Sequence, residues 1–103
     1  MNYDLIIIGA GAAGLMCAAN IKKGISTLVL EKTTKIGTKL KISGSGQCNI
    51  THSGDIKSFE KAYGLNGRFL RSALHSFSNQ DLVKYFADLE VPIIEREDGK
   101  MFP

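Results

Sequence analysis

Tryptophan is absent from this 103-residue chain, and cysteine and proline each occur only twice. The two cysteines, Cys17 in a predicted helix and Cys48 in a glycine-rich loop, are too few for a disulfide framework or a metal site. Cys17 is expected to pack as a small buried hydrophobe. No apolar run could span a bilayer, and the amino terminus lacks the basic region of a secretion signal. The sequence therefore predicts a cytoplasmic protein with no membrane partner.

Strong charge of either sign is also missing, since the formal net charge is only +3. Hydrophobic residues make up 44% of the chain and charged residues 22%, which is ordinary for a globular domain and argues against disorder. The basic residues lack interleaved aromatic side chains and a nucleic-acid motif, so no nucleic-acid partner is expected. Four lysines nevertheless follow one another closely, where they would attract an anionic ligand or simply solvate a loop: Lys32, Lys35, Lys39 and Lys41.

The chain does contain a glycine pattern, Gly9, Gly11 and Gly14, between two recognisable elements. Residues 3–8 form an apolar run that predicts a strand buried on both faces of a parallel sheet, and residues 12–23 predict a helix. In such a unit the first glycine permits a tight turn and the second lets the backbone approach a pyrophosphate. The third lets the helix pack closely on the strand. Glycines spaced this way also occur by chance in loops, but here the required strand and helix flank them.

Glu31 completes the unit. It follows a second predicted strand at residues 26–30 and lies about 20 residues beyond Gly11, where dinucleotide-binding domains place an acid. A carboxylate there accepts hydrogen bonds from ribose hydroxyls and repels a 2′-phosphate. Gly24 is expected to stop the intervening helix. Together these features predict a site for a dinucleotide, a small-molecule cofactor.

The rest of the chain predicts a glycine-rich loop over 33–54, a helical part over 66–90 and a β-hairpin over 93–103, after a βαβ unit at about 3–31. All of them are assigned to one segment, 1–103. The fold class is therefore α/β, a Rossmann-like βαβ unit followed by two helices and the start of a hairpin.

Local signals place the boundaries of the downstream elements. Ser78 and Asp81 are spaced as a capping box at the start of the second helix. Pro92 is expected to stop that helix, and Asp98-Gly99 to form the hairpin turn. His52 and His75 have no companions at metal-ligand or triad spacing.

Residues 36–51 form a second motif, in which closely spaced glycines alternate with hydroxyl and amide side chains. Such a segment can offer backbone N–H donors to a ligand, or it can be a flexible surface loop, and its chemistry alone leaves both open.

With this second motif the sequence resembles the BaiN/YhiN-like flavoproteins, which are NAD(P)/FAD-dependent oxidoreductases. Members look like Gly-Ala-Gly-Ala-Ala-Gly near the start, an acid after the second strand, and then Gly-x-Lys-Leu-x-x-Ser-Gly-x-Gly-Arg-Cys-Asn-x-Thr. The matching positions are 9–14, Glu31 and 37–51, and residues 97–103 are similar to the family's acidic-Gly-basic-x-Phe-Pro segment. Gln47 stands where the family usually has arginine, so the permanent charge and bidentate fork of arginine are missing here.

The resemblance implies FAD as the cofactor, with its adenosine end on the glycine motif and the second loop running toward the pyrophosphate and flavin. It also implies an oxidoreductase parent in which NAD(P)H serves as reductant. The implied cofactor-binding residues are Gly9, Gly11, Ala12, Ala13, Gly14, Glu31, Lys32, Lys39, Ser43, Gly44, Gly46, Gln47, Cys48 and Asn49. No acid, base or nucleophile is assigned, because the flavin supplies the reactivity in such enzymes.

The family's fold continues well beyond 103 residues, so the chain is expected to be incomplete and its substrate is undetermined. Two alternatives stay open beside the FAD-binding segment. Residues 1–31 equally permit the nucleotide-binding domain of an NAD-dependent dehydrogenase. A truncated, non-catalytic nucleotide-binding module is the other, and the apolar stripes of its helices would favour self-association.

Overall fold

Strand β1 (Leu5–Ile8) pairs in parallel with β2 (Thr27–Leu30) in a computed structural model that describes residues 1–103. Helix α1 (Ala12–Ala19) connects the two strands, so the predicted βαβ unit is confirmed. These elements belong to the first of two compact units, residues 1–48, and residues 49–103 form the second.

The prediction that β1 is buried on both faces is wrong. Ile7 is buried, whereas Ile6 and Ile8 are 53% and 86% exposed. Successive side chains of a strand point to opposite faces, and α1 contacts the face that carries Ile7. The other face of this two-stranded sheet has no covering layer within the unit.

Helix α1 is shorter than the sequence pattern predicts. It ends at Ala19 rather than near residue 23, and the side-chain amide of Asn20 donates to the carbonyl of Met16 at 2.8 Å. An asparagine amide that bonds the last turn of a helix competes with continuation of the backbone ladder. Gly24 is not the helix stop but lies at φ +92° in a turn before β2. Cys17 is exposed on α1, contrary to its expected burial, because the sheet contacts only one side of the helix.

The segment expected to be a glycine-rich loop contains two short elements, helix α2 (Thr38–Ile42) and strand β3 (Thr51–His52). Gly37 precedes α2 in the left-handed conformation, at φ +63°. Elements of two to five residues are too short to show a hydrophobic period, which explains why sequence patterns miss them.

The second unit contains a helix that was not predicted, α3 (Ile56–Ala62). Asp55 caps it by accepting a hydrogen bond from the backbone N–H of Lys57 at 3.0 Å. A short 3-10 helix (Gly64–Asn66) leads into α4 (Gly67–Ser76), which packs against α3. Contact between the helices is close, since a Cβ on Gly67 would overlap the carbonyl oxygen of Glu60.

Helix α5 (Asn79–Asp88) begins with the predicted capping box, which is confirmed. The Ser78 hydroxyl accepts from the Asp81 N–H at 3.2 Å, and the Asp81 carboxylate accepts from the Ser78 N–H at 2.7 Å. Asn79 is buried, and its amide donates to the carbonyls of His52 and Gly54 at 3.0 Å each. The start of α5 is therefore attached to β3.

The end of α5 is set by Glu90 and not by Pro92. The N–H of Val91 donates to the Phe86 carbonyl at 2.9 Å, and the N–H of Glu90 donates to the Ala87 carbonyl at 3.0 Å. This pair of bonds is a Schellman motif, which requires a left-handed residue after the helix. Glu90 takes that conformation at φ +62°, where glycine is usual.

Replacing Glu90 with glycine is expected to raise the free energy of unfolding by about 1 kcal/mol, because the left-handed conformation costs a residue with a Cβ roughly that amount. The same substitution removes a negative charge from the carboxyl end of a helix. Glu90→Ala separates the two effects, since it removes the charge and keeps the Cβ. In urea denaturation, the free energy of unfolding should therefore rise more for Glu90→Gly than for Glu90→Ala. Equal midpoints for the two variants would contradict the left-handed conformation assigned to Glu90.

The predicted hairpin is confirmed, with β4 (Ile94–Glu95) antiparallel to β5 (Lys100–Phe102). Strand β3 pairs with the other edge of β5, so the strand order is β3-β5-β4. The turn is not centred on Asp98-Gly99. It spans residues 96–99 and is closed by the Gly99 N–H, which donates to the Arg96 carbonyl at 2.9 Å. Gly99, the last residue of the turn, has φ +80°. None of the helices in the structure has the length and hydropathy needed to cross a bilayer.

Candidate nucleotide-binding site

The glycine turn begins where β1 ends. Gly9 lies at φ +97°, and its N–H donates to the carbonyl of Leu30, the last residue of β2, at 2.7 Å. The left-handed conformation at this point favours glycine, because glycine has no Cβ that would clash. The chain thus leaves the sheet and enters α1 within three residues.

Gly11 is the residue before α1 and has extended backbone angles, φ −82° and ψ −169°. An ideal Cβ on Gly11 would meet no atom within 4 Å, so the space beside it is open. No side chain caps α1 at this end. Free N–H groups and the positive end of the helix dipole therefore face this space, which suits a phosphate.

Gly14 has the opposite environment. A Cβ there would overlap the carbonyl oxygen of Gly9 and lie 3.0 Å from its carbonyl carbon. Helix α1 and the end of β1 approach each other so closely that only glycine fits. The three glycines are placed as a dinucleotide site requires: a turn, an open approach and a close helix–strand contact.

Glu31 lies against this turn. Its Oε2 accepts a hydrogen bond from the backbone N–H of Ala10 at 2.8 Å. Its Oε1 accepts from the backbone N–H of Thr33 at 2.8 Å, and the Thr33 hydroxyl is 3.0 Å away. These donors lower the pKa of Glu31 below its ordinary value. The Thr33 N–H has the largest effect and the Ala10 N–H the second largest. The carboxylate is therefore ionised at neutral pH and can accept hydrogen bonds from hydroxyl groups.

The backbone of Ala10 joins the first motif to the second. Its N–H donates to Glu31, and its carbonyl accepts from the N–H of Gly37 at 2.8 Å. Ala10 and Gly37 are both buried. Neither Ala10 nor Thr33 was among the residues expected at the site. The Ala10 contacts and the contact of the Thr33 N–H use backbone groups that nearly every residue type carries, so these contacts leave no sequence signal.

A left-handed turn follows α2 in the second motif. Gly44, Ser45 and Gly46 have φ values of +58°, +58° and +84°, and Cys48 has +59°. The Cys48 N–H closes the turn by donating to the Ser43 carbonyl at 3.0 Å. Positive φ at a serine and a cysteine is unfavourable, and such strain is often found at functional sites.

The structure places the remaining predicted residues in four groups. Ala12 and Ala13 are exposed in the first turn of α1, and Lys32 and Lys39 are exposed beyond Glu31. The Gln47 N–H donates to the Gly44 carbonyl at 3.3 Å within the left-handed turn. Asn49 belongs to the second unit. With its amide nitrogen facing them, it donates to the carbonyls of Met101 and Thr51 at 3.1 and 2.8 Å.

A βαβ unit with this glycine turn, and an acid hydrogen-bonded to it, defines a Rossmann-type nucleotide-binding domain. Residues 3–103 match the family model described as the HI0933-like protein Rossmann domain, and the chain belongs to that family. The predicted α/β Rossmann-like fold class and the resemblance to BaiN/YhiN-like flavoproteins are thereby confirmed.

Three curated relatives match nearly the whole chain. The ribosomal RNA dihydrouridine synthase of Haemophilus influenzae is 40% identical over 99 residues, covering 94% of this chain and 24% of the relative. The enzyme of the same name from Escherichia coli is 34% identical over 103 residues, covering 98% and 25%. The 3-dehydro-bile acid delta(4,6)-reductase of Clostridium scindens is 31% identical over 101 residues, covering 94% and 24%. This chain thus spans about a quarter of the length of these relatives.

Proposed function

We propose that this chain binds the ADP part of FAD as the nucleotide-binding segment of a flavin-dependent oxidoreductase. One observation carries the proposal: the Glu31 carboxylate is hydrogen-bonded to the Ala10 N–H, directly beside the open space at Gly11. An acceptor for the ribose hydroxyls therefore lies next to an open approach for the pyrophosphate, as the adjoining ribose and pyrophosphate of an ADP group require.

The residues divide the work by their chemistry. The N–H groups at the start of α1, from Ala12 and Ala13 onward, would hold the pyrophosphate, and Glu31 would accept from the ribose hydroxyls. The cations of Lys32 and Lys39 would add attraction for the phosphates. The set proposed for the far end of the cofactor comes from the second motif: Ser43, Gly44, Gly46, Gln47, Cys48 and Asn49. When bound, FAD would supply hydride transfer, while the protein supplies binding and orientation.

For the complete protein we propose a reductase that takes its electrons from NAD(P)H. Two of the three relatives are named as synthases of a dihydro base, and the third is named as a reductase. Both names describe reductive reactions.

Titration with FAD and with NADH tests the cofactor assignment. Protein expressed from its complete reading frame should bind FAD, with visible flavin absorbance, and NADH should not displace it at equal concentration. Glu31→Gln should weaken FAD binding by about tenfold, because the new amide group would turn a donor toward one of the N–H groups that Glu31 now accepts.

Glu97→Gln is the matched control, since it makes the same chemical change in the β4–β5 turn. It should leave FAD affinity unchanged. A folded protein that binds no flavin would refute the proposal, and tighter binding of NADH than of FAD would favour the NAD-dependent alternative.

A further inference from the structure

A residue outside both glycine motifs holds Glu31 in place. The backbone N–H of Thr33 donates to Oε1 of Glu31 at 2.8 Å, and the Thr33 hydroxyl lies 3.0 Å from the same oxygen. The other oxygen, Oε2, accepts from Ala10 at 2.8 Å. With a donor on each oxygen, the carboxylate has a defined orientation before any ligand binds.

We propose that Thr33 is a positioning residue of the nucleotide site, whose hydroxyl orients the Glu31 carboxylate for the ribose of the cofactor. This inference rests on the proposed function, because it assigns Thr33 to the same site. Thr33 acts through Glu31, because its hydroxyl contacts that carboxylate.

The hydroxyl of Thr33 has two acceptors within reach. It is 2.8 Å from the Lys35 carbonyl as well as 3.0 Å from Glu31, and it has one proton to donate. An ionised carboxylate is a stronger acceptor than a neutral carbonyl, so the proton turns to Glu31 when Glu31 is charged. The Lys35 carbonyl keeps the hydroxyl inside this turn when Glu31 is protonated. The interaction with Thr33 thus favours the charged form of Glu31, the form that accepts from ribose hydroxyls.

This coupling predicts a pH dependence with a definite sign. The Thr33 N–H, the Ala10 N–H and then the Thr33 hydroxyl lower the pKa of Glu31. Affinity for the ribose is therefore present above that pKa and is lost as the pH falls through it. Removing the hydroxyl raises the pKa, so the loss of affinity should begin at a higher pH. The neighbouring charged groups in this turn, Lys32 and Lys35, are unchanged by the substitution.

Three substitutions test the role of Thr33 in protein expressed from its complete reading frame. Thr33→Val removes the hydroxyl and keeps the branched shape and the backbone N–H. Thr33→Ser keeps the hydroxyl. Thr38→Val is the matched control, because its hydroxyl is 3.3 Å from the same Lys35 carbonyl and has no bond to Glu31.

We expect Thr33→Val to weaken FAD binding about fivefold at neutral pH, as loss of one hydrogen bond to a charged, partly exposed group implies. The acid limb of the affinity profile should move to higher pH, and carbon-detected NMR titration without ligand should show a raised pKa for Glu31. Thr33→Ser should restore both properties, and Thr38→Val should leave both as in the wild type.

The outcomes separate this inference from the proposed function. Wild-type affinity and an unchanged pH profile for Thr33→Val would overturn the positioning role and leave FAD binding intact. Failure of Thr33→Ser to restore affinity would also overturn it, since the hydroxyl would then not be the active group. If the folded wild type binds no FAD, the proposed function is refuted and the positioning role with it.

Discussion

Replacing Gly14 with alanine is expected to lower the free energy of unfolding by about 3 kcal/mol, the cost of forcing an extra carbon into a closely packed site. The new Cβ would overlap the Gly9 carbonyl oxygen and lie 3.0 Å from the carbonyl carbon. Both are backbone atoms at the end of β1, so they cannot swing aside as a flexible side chain would. The helix propensity of alanine returns only about 1 kcal/mol. Urea denaturation followed by circular dichroism measures the loss.

Gly11→Ala is the control for this prediction. It makes the same substitution three residues earlier, where the backbone has φ −82° and a Cβ would meet no atom within 4 Å. Its stability should stay within about 1 kcal/mol of the wild type, the usual range for a change at this helix position. Equal stabilities of the two variants would mean that α1 and β1 are not in close contact at Gly14.

Replacing Gly11 with valine is expected to weaken FAD binding by about 100-fold while the protein stays folded. This prediction rests on the proposed function. A branched side chain would fill the open space beside Gly11 and keep the pyrophosphate from the N–H groups at the start of α1. Loss of charge-assisted hydrogen bonds to a phosphate accounts for an effect of that size. Fluorescence titration with FAD measures it.

Ala19→Val is the control for the loss of binding, since it adds similar bulk at the exposed far end of the same helix. It should leave FAD affinity within about twofold of the wild type. Wild-type affinity in Gly11→Val, with an unchanged circular dichroism spectrum, would place the pyrophosphate somewhere other than the start of α1.

Elements with short-range signals could be predicted from the sequence. The βαβ unit, the capping box of Ser78 and Asp81, and the hairpin all have residue types at fixed spacings that require one local geometry. The ends of elements were predicted less well. Asn20 ends α1 early, and Glu90 ends α5 by taking a conformation normally taken by glycine. In both places a local polar or backbone interaction outweighed the helix boundary that residue types alone predict.

The two short helices were missed for a different reason. Helix α2 has five residues and α3 has seven, so neither repeats an apolar face often enough to show a period. Helix α3 depends instead on its packing against α4, which the close approach at Gly67 permits. Long-range packing of this kind leaves no pattern within a few neighbouring residues.

The sequence by itself determined the class of site, because Gly9 makes a left-handed turn, Gly11 leaves an open approach, Gly14 lies where a Cβ is excluded, and Glu31 lies where a ribose acceptor is needed. Only the tertiary structure decided how the site is held together. There the backbone of Ala10 bonds both Glu31 and Gly37, and Thr33 orients the carboxylate from its other side. Backbone N–H and carbonyl groups are the same in nearly every residue, so their partners are chosen by folding and not by residue type.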